Sequence, residues 1–532
     1  MELIEALRQP RCYPHPVGPI RVIETHISWI VLTGDFAYKV KKPVNLGFLD
    51  FTELERRHFF CQEELRLNRR LAPEYYLNVV TITGSADQPK IGGSGPIVDY
   101  ALKMKQFPAG ALLSEIYAQR APVDAEVQRL AEDIAAFHRA IGSHPPPQDF
   151  GAAEITLHRS EENFEAPLRT VADDTAAFLL RDLQAWSERQ GQRLRPAIER
   201  RRAEGFVREG HGDLHLGNIF LRDATPIIFD CIEFAPDLRW IDVINDLAFL
   251  TMDLRRAGHA DAAYDLLNRY LHVTGDYSGV ALWRYYEIYR AMVRAKIAAL
   301  RLEQTADQAS EHARFEMLGY IRLASALRHP SLPRLILTHG FSGSGKSTVC
   351  RAIAPGLRAI WVRSDVERKR LHGLRAEQRS QSDLNAGIYQ ASATEATYAK
   401  LQSLAQDLLR DGYSVIVDAT FLRHWQRQLF FQIAAVYSVP LIILHCRAPE
   451  TTVRGWLRRR TAAGADPSEA DEHVFEGQLE HHDPLTTEEK HHTLAIDTSR
   501  TLDPGLIREA IAVRAARDTK AHQNNLLNKT GD

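Results

Sequence analysis

The pattern of hydrophobic and polar residues changes character several times along the 532-residue chain. Between residues 20 and 44, short apolar runs alternate with polar positions and are separated by turn residues such as Gly34 and Asp35. This pattern is typical of strands joined by a hairpin. A helical pattern follows at about 53–71, and strand character returns at 75–83 and 97–106. The first 108 residues are therefore predicted to form a small lobe of strands and a helix.

From residue 109 to about 326 the pattern is mostly helical, with apolar residues recurring at the spacing of one helix face. A short β-rich island interrupts these helices between His211 and Phe234. Residues 1–330 are thus predicted to form one domain, with an N-lobe of about 1–108 and a helical C-lobe of about 109–330.

Two prolines, Pro330 and Pro333, precede an apolar run and mark the predicted domain boundary. Beyond them, strand-like and helical segments alternate as far as about residue 497. Such alternation indicates a parallel sheet flanked by helices, so residues 331–515 are predicted to form an α/β domain. The polar stretch 516–532 is predicted to be a disordered tail.

Composition and charge argue against several classes of protein for this chain. The chain is 45% hydrophobic and 25% charged, as globular proteins are, and its net charge of −2 does not favour a polyelectrolyte partner such as nucleic acid. Its five cysteines lie far apart, so neither a disulfide framework nor a zinc site is expected. No apolar run is long enough to cross a bilayer, and the first residues do not resemble a targeting signal. We expect a cytoplasmic protein without a membrane partner.

The segment 340–347 matches the pattern G-x-x-x-x-G-K-[ST] between an apolar strand and a helix-compatible segment. Glycines in such a loop let backbone N–H groups surround phosphates at a helix N-terminus, whereas a purely structural reading is a tight strand–helix turn. Lys346 is expected to reach the β- and γ-phosphates, and Ser347 to bind Mg²⁺. The residues predicted to contact the nucleotide are Gly340, Ser342, Gly343, Ser344, Gly345, Lys346, Ser347 and Thr348.

Two acidic residues downstream point to phosphoryl transfer. Asp365 follows the second predicted strand, where a carboxylate can accept a proton from an attacking hydroxyl, although Asp also favours helix N-caps. Asp418 ends an apolar strand, the place of an acidic residue linked to Mg²⁺, and the alternative is a turn residue. Arg454 and Arg458 lie in an arginine-rich stretch that could close over phosphates or form a solvated helix face.

The segment from about 332 to 514 resembles the small P-loop kinases of the polynucleotide kinase, gluconate kinase and zeta-toxin type. The resemblance lies in the loop, in Asp365 and Arg368, in the strand end at Asp418, and in the arginine-rich stretch. It implies that Asp365 is the general base, that Arg368 contacts phosphate or substrate, and that the arginines stabilise the transition state. It does not select the acceptor.

The β-rich island carries a second constellation. Asp213 and Asn218 have the D-x-x-x-x-N spacing of a kinase catalytic loop, and a predicted hairpin returns the chain so that Asp230 faces Asn218. Asp213 would accept the proton of the substrate hydroxyl, while Asn218 and Asp230 would hold Mg²⁺ on ATP. His211 and His215 are four residues apart, but the intervening glycine argues against a helical zinc motif, so His211 is read as a structural residue.

This island and the chain around it, from about 20 to 326, resemble the aminoglycoside phosphotransferase and choline-kinase-like family. The motif H-G-D-x-x-x-x-N and a following I-D-x-x-E-type segment carry the resemblance. It implies a protein-kinase-like fold, a strand lysine at Lys39 or alternatively Lys41, and a helical glutamate partner at Glu64 or Glu63. Glu233 and Asp246 would support the site. The usual glycine-rich loop is absent, because residues 25–29 join the first two strands without a glycine.

The sequence therefore predicts two domains: an N-terminal protein-kinase-like α+β bilobal domain and a C-terminal α/β P-loop NTPase with a parallel sheet. Both would use ATP and Mg²⁺ to phosphorylate hydroxyl groups of small-molecule acceptors. One alternative is a nucleic-acid 5′-hydroxyl kinase in the C-terminal half. Another is a nucleotide-binding regulatory protein with a degraded N-terminal site. The sequence does not indicate an oligomeric state.

Overall fold

The computed structural model describes residues 2–529 except 48, 143–145, 147–148, 305–307, 377, 379–387, 389 and 464–467. The chain divides into two compact units, Met1–Ala257 with Tyr285–Ile321, and Gly258–Arg284 with Arg322–Asp532. The sequence placed a single boundary near residue 330. Residues 258–284, which it assigned to the N-terminal domain, are grouped with the second unit.

The first unit begins with a six-stranded antiparallel sheet in the order β1-β2-β3-β6-β4-β5. The strands and first helices of this part are β1 (Arg21–Glu24), β2 (Ser28–Leu32), β3 (Phe36–Lys41), β4 (Tyr76–Gly84), β5 (Pro89–Ile91), β6 (Ile97–Lys105), α1 (Glu2–Ala6) and α2 (Leu54–Asn68). Leu65 of α2 packs with Tyr76 and Leu102 of the sheet. Side chains two apart on a strand share a face, so Lys39 and Lys41 of β3 both contact Glu64 of α2.

The rest of the predicted N-terminal domain is mainly helical, as expected. Its elements are α3 (Leu113–Tyr117), α4 (Asp124–Ala140), α5 (Ala153–Glu162), α6 (Glu165–Thr170), α7 (Asp174–Ala203), β7 (Val207–Glu209), β8 (Ile219–Arg222), β9 (Thr225–Ile228), α8 (Pro236–Arg239), β10 (Trp240–Asp242), α9 (Val243–Arg256), α10 (Ala260–Thr274), α11 (Val280–Gln304) and α12 (Gln308–Leu327). The predicted hairpin is β8–β9, with Ile219 opposite Ile228. Within the described part of the chain, no helix combines the length and apolar character that a membrane crossing requires.

The second unit contains a five-stranded parallel sheet in the order β12-β13-β11-β14-β15, which confirms the predicted α/β class. Its further elements are β11 (Leu335–His339), α13 (Lys346–Ile353), β12 (Ala359–Arg363), α14 (Ser364–Leu371), α15 (Ala391–Arg410), β13 (Ser414–Asp418), α16 (His424–Tyr437), β14 (Leu441–Arg447), α17 (Glu450–Ala463), α18 (Glu472–Glu480), α19 (Thr487–His491), β15 (Thr493–Asp497) and α20 (Pro504–Lys529). The backbone is helical up to Lys529, where a disordered tail was expected from 516; residues 530–532 lie outside the described residues.

Strands β11, β12 and β13 are buried along their whole length, which explains their continuous apolar runs. Val349 and Ile353 of α13 and Ile511 of α20 pack in one core with Ile336 and Ile416 of the sheet. This packing fixes α13 directly after the carboxyl end of β11. The segment 340–345 between them is therefore held as a short loop at one edge of the sheet.

Arg427 of α16 organises the segment that follows β13. Its guanidinium is fully buried, with Nε donating to Glu489 Oε1 at 2.7 Å and Nη1 donating to the Phe421 carbonyl oxygen at 2.9 Å. Arg423, four residues earlier, instead forms a half-exposed ion pair with Asp483 at 3.2 Å. The two arginines, one just before α16 and one in its first turns, therefore provide an exposed and a buried version of the same interaction.

We expect Arg427→Met to lower the free energy of unfolding of the second unit by about 3–5 kcal/mol, because it leaves Glu489 buried without its main counter-charge. Arg423→Met, the matched control, should cost no more than about 1 kcal/mol. Native-state hydrogen exchange of the amides of β11 and β13 measures both effects. Equal losses in the two variants would contradict this interpretation.

Candidate phosphoryl-transfer sites

The segment after β7 brings Asp213 and Asn218 together, as the spacing predicted. Asn218 Nδ2 donates to Asp213 Oδ2 and to the Asp213 carbonyl oxygen, both at 2.9 Å. The Asp246 carboxylate accepts from the backbone N–H groups of His211 at 2.7 Å and Gly212 at 3.0 Å. Gly212 has a φ of 85°, and a Cβ there would lie 2.9 Å from the Leu238 carbonyl oxygen. The segment is thus fixed by a buried carboxylate and by a position that suits only glycine.

His211 holds this loop through both ring nitrogens. Its Nδ1 accepts from the Asp213 N–H at 3.2 Å, so the ring proton lies on Nε2, which donates to the Phe229 carbonyl oxygen at 2.9 Å. These bonds connect the Asp213 segment to the end of the β8–β9 hairpin. They agree with the structural role that the sequence indicated for His211.

The β8–β9 hairpin returns the chain to Asn218. The Phe229 N–H donates to the Asn218 carbonyl oxygen at 3.0 Å, which places Asp230 beside the segment that contains Asp213 and Asn218. Asp230 has a φ of 65°, an uncommon conformation for a residue with a side chain, and such strain is concentrated at functional sites. Its Oδ1 accepts from Lys39 Nζ at 2.7 Å.

Lys39 also contacts Glu64 Oε1 at 2.7 Å, which distinguishes between the glutamates that the sequence left open. Glu63 instead forms ion pairs with Arg66 at 2.9 Å and Arg239 at 3.4 Å. Burial disfavours the charged lysine, but Asp230, Glu64 and Glu233 outweigh it and raise the pKa of Lys39. Lys39 is therefore a permanent cation at the base of this site.

Lys41 occupies the neighbouring buried position. Its Nζ lies 2.8 Å from Glu64 Oε2 and also contacts Glu233 Oε1. Burial disfavours the charged form of Lys41, yet Glu233 and Glu64 raise its pKa above the ordinary value. Lys41 thus holds Glu64 and Glu233 together, while Lys39 is the lysine that contacts Asp230.

Two residues near Asp213 were missed by the sequence analysis. His215 Nε2 lies 3.3 Å from Asp213 Oδ2, and Arg294 Nη1 lies 3.4 Å from the same nitrogen of His215. Burial alone would raise the pKa of Asp213, but His215 and the charge of Arg294 lower it, so Asp213 remains ionised near neutral pH. His215 follows the motif closely, whereas Arg294 is distant in sequence and no motif marks it.

The loop 340–345 contains three glycines with positive φ. Gly340, Gly343 and Gly345 have φ values of 144°, 80° and 81°, and α13 begins directly afterwards at Lys346. The buried Ser344 hydroxyl has no hydrogen-bond partner among the described residues. Backbone N–H groups at a helix N-terminus, a lysine and an unpaired hydroxyl fit the phosphates of a nucleotide.

Lys346 and Asp418 lie at the centre of the second site. Lys346 Nζ donates to the Phe341 carbonyl oxygen at 2.7 Å, and burial lowers its pKa although Asp418 opposes the shift. Burial raises the pKa of Asp418, while Arg363 and a hydrogen bond with Ser347 oppose it. The Asp418 carboxylate and the Ser347 hydroxyl are hard oxygen ligands of the kind that Mg²⁺ prefers, so the pair fits this ion.

Three further residues were predicted for this site, and their surroundings differ: Asp365, Arg368 and Thr348. Asp365 lies in the first turn of α14, and its charge acts on both Lys346 and Asp418. Arg368 is directed towards α15, with Nη1 donating to the Ile388 carbonyl oxygen at 3.0 Å and lying 3.2 Å from Thr394 Oγ1. Thr348 is exposed on α13.

The structure does not bring Arg454 and Arg458 to the loop. Arg454 pairs with Glu450 and Glu476 at 2.8 Å, and Arg458 pairs with Glu472 at 2.8 Å. The charge of Arg460, which the sequence analysis did not single out, does reach Lys346.

Gln478 of α18 was also missed by the sequence analysis. Its Oε1 accepts from the Ser342 N–H at 2.8 Å, and its Nε2 donates to Ser342 Oγ at 2.9 Å. The Gln478 side chain therefore accepts the hydrogen bond of one backbone amide of the loop. No motif marked Gln478, because its role depends on how α18 approaches the loop.

Comparison with protein families gives two matches on this chain. Residues 55–283 match the phosphotransferase enzyme family, and residues 335–485 match a family described as an AAA domain. Among solved structures, a choline/ethanolamine kinase family protein from Mesorhizobium loti is 15% identical, with 62% of this chain and 96% of that chain covered and a TM-score of 0.39. A gluconokinase from Sinorhizobium meliloti 1021 is 19% identical, with 38% and 99% covered and a TM-score of 0.25.

Curated relatives extend over most of the chain. The uncharacterized protein Mb2027c of Mycobacterium bovis is 31% identical over 459 residues, which cover 86% of this chain and 90% of that protein. The uncharacterized protein Rv2004c of Mycobacterium tuberculosis matches with the same identity and coverage. This protein therefore belongs to the family of these mycobacterial proteins, and it is a kinase that joins an aminoglycoside-phosphotransferase-like domain to a P-loop kinase domain.

Proposed function

We propose that this kinase has two phosphoryl-transfer sites, each of which uses Mg·ATP to phosphorylate a hydroxyl group of a small-molecule acceptor. One observation carries the proposal: each unit independently gathers a lysine, a pair of oxygen ligands suited to Mg²⁺, and a further carboxylate. Catalysis of phosphoryl transfer rests mainly on positioning and on neutralising charge, which are the tasks these groups can perform.

In the first unit, Asp213 is the group that would receive the proton of the acceptor hydroxyl. The acceptor oxygen forms a bond to the γ-phosphorus, the bond to the bridging oxygen of ADP breaks, and the proton passes to the Asp213 carboxylate. Because its pKa is low, Asp213 is a weak base that mainly orients the hydroxyl, and Asn218 fixes its Oδ2. A Mg²⁺ ion held by Asn218 and Asp230 would neutralise the phosphates.

In the second unit, Asp365 would take the same proton from a different acceptor. Lys346 and the loop amides would hold the β- and γ-phosphates, and Ser347 with Asp418 would hold Mg²⁺. Arg454 and Arg458 would act only after leaving their present glutamate partners, in the manner of a lid that closes on substrate. Gln478 would have to release the Ser342 amide at the same step.

A second candidate for the first unit is nucleotide binding without transfer. Two observations favour it. The Asp230 carboxylate that would bind metal is already paired with Lys39 at 2.7 Å. In addition, the β1–β2 turn has no glycine and is closed by the Thr25 side chain, whose Oγ1 accepts from the Ser28 N–H at 3.0 Å. That turn offers fewer free amides to a phosphate than a glycine-rich loop does.

We expect two ATP-binding sites per chain, and Lys346→Ala should remove one of them. Loss of a charge-assisted hydrogen bond to phosphate corresponds to about 10- to 100-fold weaker binding. Isothermal titration with Mg·ATP would show the stoichiometry fall from two to one. Lys490→Ala, at an exposed lysine of α19, is the control and should leave both sites intact. An unchanged titration in Lys346→Ala would remove the loop from nucleotide binding.

Labelling with γ-³²P ATP, against a panel of sugars, aminoglycosides, nucleosides and oligonucleotides, identifies the acceptors. Asp213→Asn should lower kcat for the products of the first unit by about 10²- to 10⁴-fold, and Asp365→Asn should do so for those of the second. The controls are Asp223→Asn in the β8–β9 turn and Asp407→Asn on α15.

Each outcome of this assay assigns a role. Labelling that survives both catalytic substitutions would contradict the assignment of the two bases. ATP binding by the first unit without any labelled product would support the second candidate there. Salt-sensitive labelling of oligonucleotides that depends on Asp365 would identify a nucleic-acid kinase instead.

A further inference from the structure

The outer edge of the second unit's sheet is covered by α10. Strand β12 lies at the end of the sheet order, so within the described ranges one side of its backbone has no neighbouring strand. Asn268 of α10 supplies two of the missing partners: its Nδ2 donates to the Ala359 carbonyl oxygen at 3.0 Å, and its Oδ1 accepts from the Trp361 N–H at 2.8 Å. The amide of one buried side chain thereby replaces one residue of a strand.

His272, four residues later on α10, holds the same tryptophan. Its Nε2 lies 2.8 Å from the Trp361 carbonyl oxygen, and its ring packs edge-on against the indole with 4.8 Å between centroids. Burial, together with the charges of Arg363, Arg370 and Arg269, lowers the pKa of His272 to about 3. The imidazole is therefore neutral and donates its Nε2 proton to the carbonyl.

Trp361 also contacts Asp418, the predicted metal ligand. Its Nε1–H donates to Asp418 Oδ2 at 3.2 Å, and both side chains are buried. Indole can only donate a hydrogen bond, so this interaction stabilises the charged carboxylate and fixes its rotation. Groups that orient a metal ligand in this way commonly control the affinity for the metal.

Helix α10 also forms a hydrogen bond with α14, the helix that carries Asp365. Arg370 Nη2 donates to the His272 carbonyl oxygen at 2.8 Å. Gly275 ends α10 with a φ of 75°, and a Cβ at that position would lie 2.5 Å from Arg370 Nε. The close approach of Arg370 to the end of α10 therefore requires glycine.

We propose that Asn268 and His272 are positioning residues of the P-loop kinase site, which act through Trp361 to hold Asp418 in the orientation that binds Mg²⁺. This role rests on the nucleotide-binding function proposed above for the loop 340–347. The phosphotransferase family match runs to residue 283 and so includes both residues, yet they serve the chemistry of the other kinase. The P-loop site consequently needs residues 258–284 in addition to the segment that its own family match covers.

Mg²⁺-dependent nucleotide binding tests this role in the full-length chain. The first unit's metal site is removed from every sample by Asp230→Asn, and a fluorescent ATP analogue is titrated with Mg²⁺ and with EDTA. Trp361→Phe, which keeps most of the ring packing, should reduce the Mg²⁺-dependent gain in affinity by about 10- to 100-fold. Asn268→Ala and His272→Phe should each reduce it by about fivefold, while affinity in EDTA stays unchanged.

A double-mutant cycle separates positioning from general stability. If Asn268 acts through Trp361, then Asn268→Ala should have no further effect on the Mg²⁺-dependent gain in the Trp361→Phe background. If Asn268 had a purely structural role, Asn268→Ala would cause the same loss of affinity in both backgrounds, and it would weaken binding in EDTA as well. His272→Phe retains an aromatic ring at its position, so one variant keeps the packing even if Asn268→Ala unfolds. Asp261→Asn, at an exposed ion pair of α10 with Arg508, is the control.

Two results with the variants would overturn the proposal: an unchanged Mg²⁺-dependent gain in both His272→Phe and Asn268→Ala, or equal losses with Mg²⁺ and EDTA. A parent protein that gains no affinity from Mg²⁺ would overturn it too. Failure of the underlying function looks different, because Lys346→Ala would then bind the analogue as tightly as its parent. The two failures are thus distinguished in one set of titrations.

Discussion

Asp418 and Asp213 have to be ionised where burial penalises their charge, and the surrounding residues of each site are arranged around that constraint. Asp213 lies near His215 and Arg294, and its pKa is lowered despite burial. Burial raises the pKa of Asp418 although Arg363, the Ser347 hydroxyl and Lys346 oppose the shift, and an indole N–H also donates to its carboxylate. A carboxylate short of positive charge in this way gains most from a bound cation. The difference is consistent with the proposed roles, proton acceptor for Asp213 and metal ligand for Asp418.

Lys39 and Lys346 also differ in how far the protein compensates their buried charges. The charge of Lys39 is compensated within the protein, by Glu64 and Asp230, so this lysine stabilises the first unit without a ligand. Lys346 is buried against the Phe341 carbonyl oxygen and has a lowered pKa. A phosphate would supply the negative charge that this lysine lacks. Strong binding of an anion is the physical consequence of leaving a buried lysine without full compensation.

Family boundaries and structural boundaries differ in this chain. The phosphotransferase match ends at residue 283, but residues 258–284 pack in the second compact unit. The reason lies in the edge of a parallel sheet, whose unpaired backbone groups must find partners when they are buried. Asn268 and His272 meet that need for β12. A helix assigned to one family by sequence thereby becomes part of the other family's fold.

The sequence by itself determined the features that are local. The loop 340–347, the D-x-x-x-x-N spacing from Asp213, the β8–β9 hairpin and the buried runs of the parallel sheet all depend on residues within a few positions of each other. Such patterns follow from backbone geometry and from the period of strands and helices. They were sufficient to identify two domains, their fold classes and the kinase chemistry.

Only the tertiary structure decided which distant groups meet. It paired Glu64 with Lys39, directed Arg454 and Arg458 to glutamates, and placed Arg294 near Asp213. It also assigned α10 to the sheet of the second unit. These outcomes depend on how elements that are far apart in sequence pack together, and on where burial forces a charge or a backbone group to find a partner. No local pattern encodes that choice.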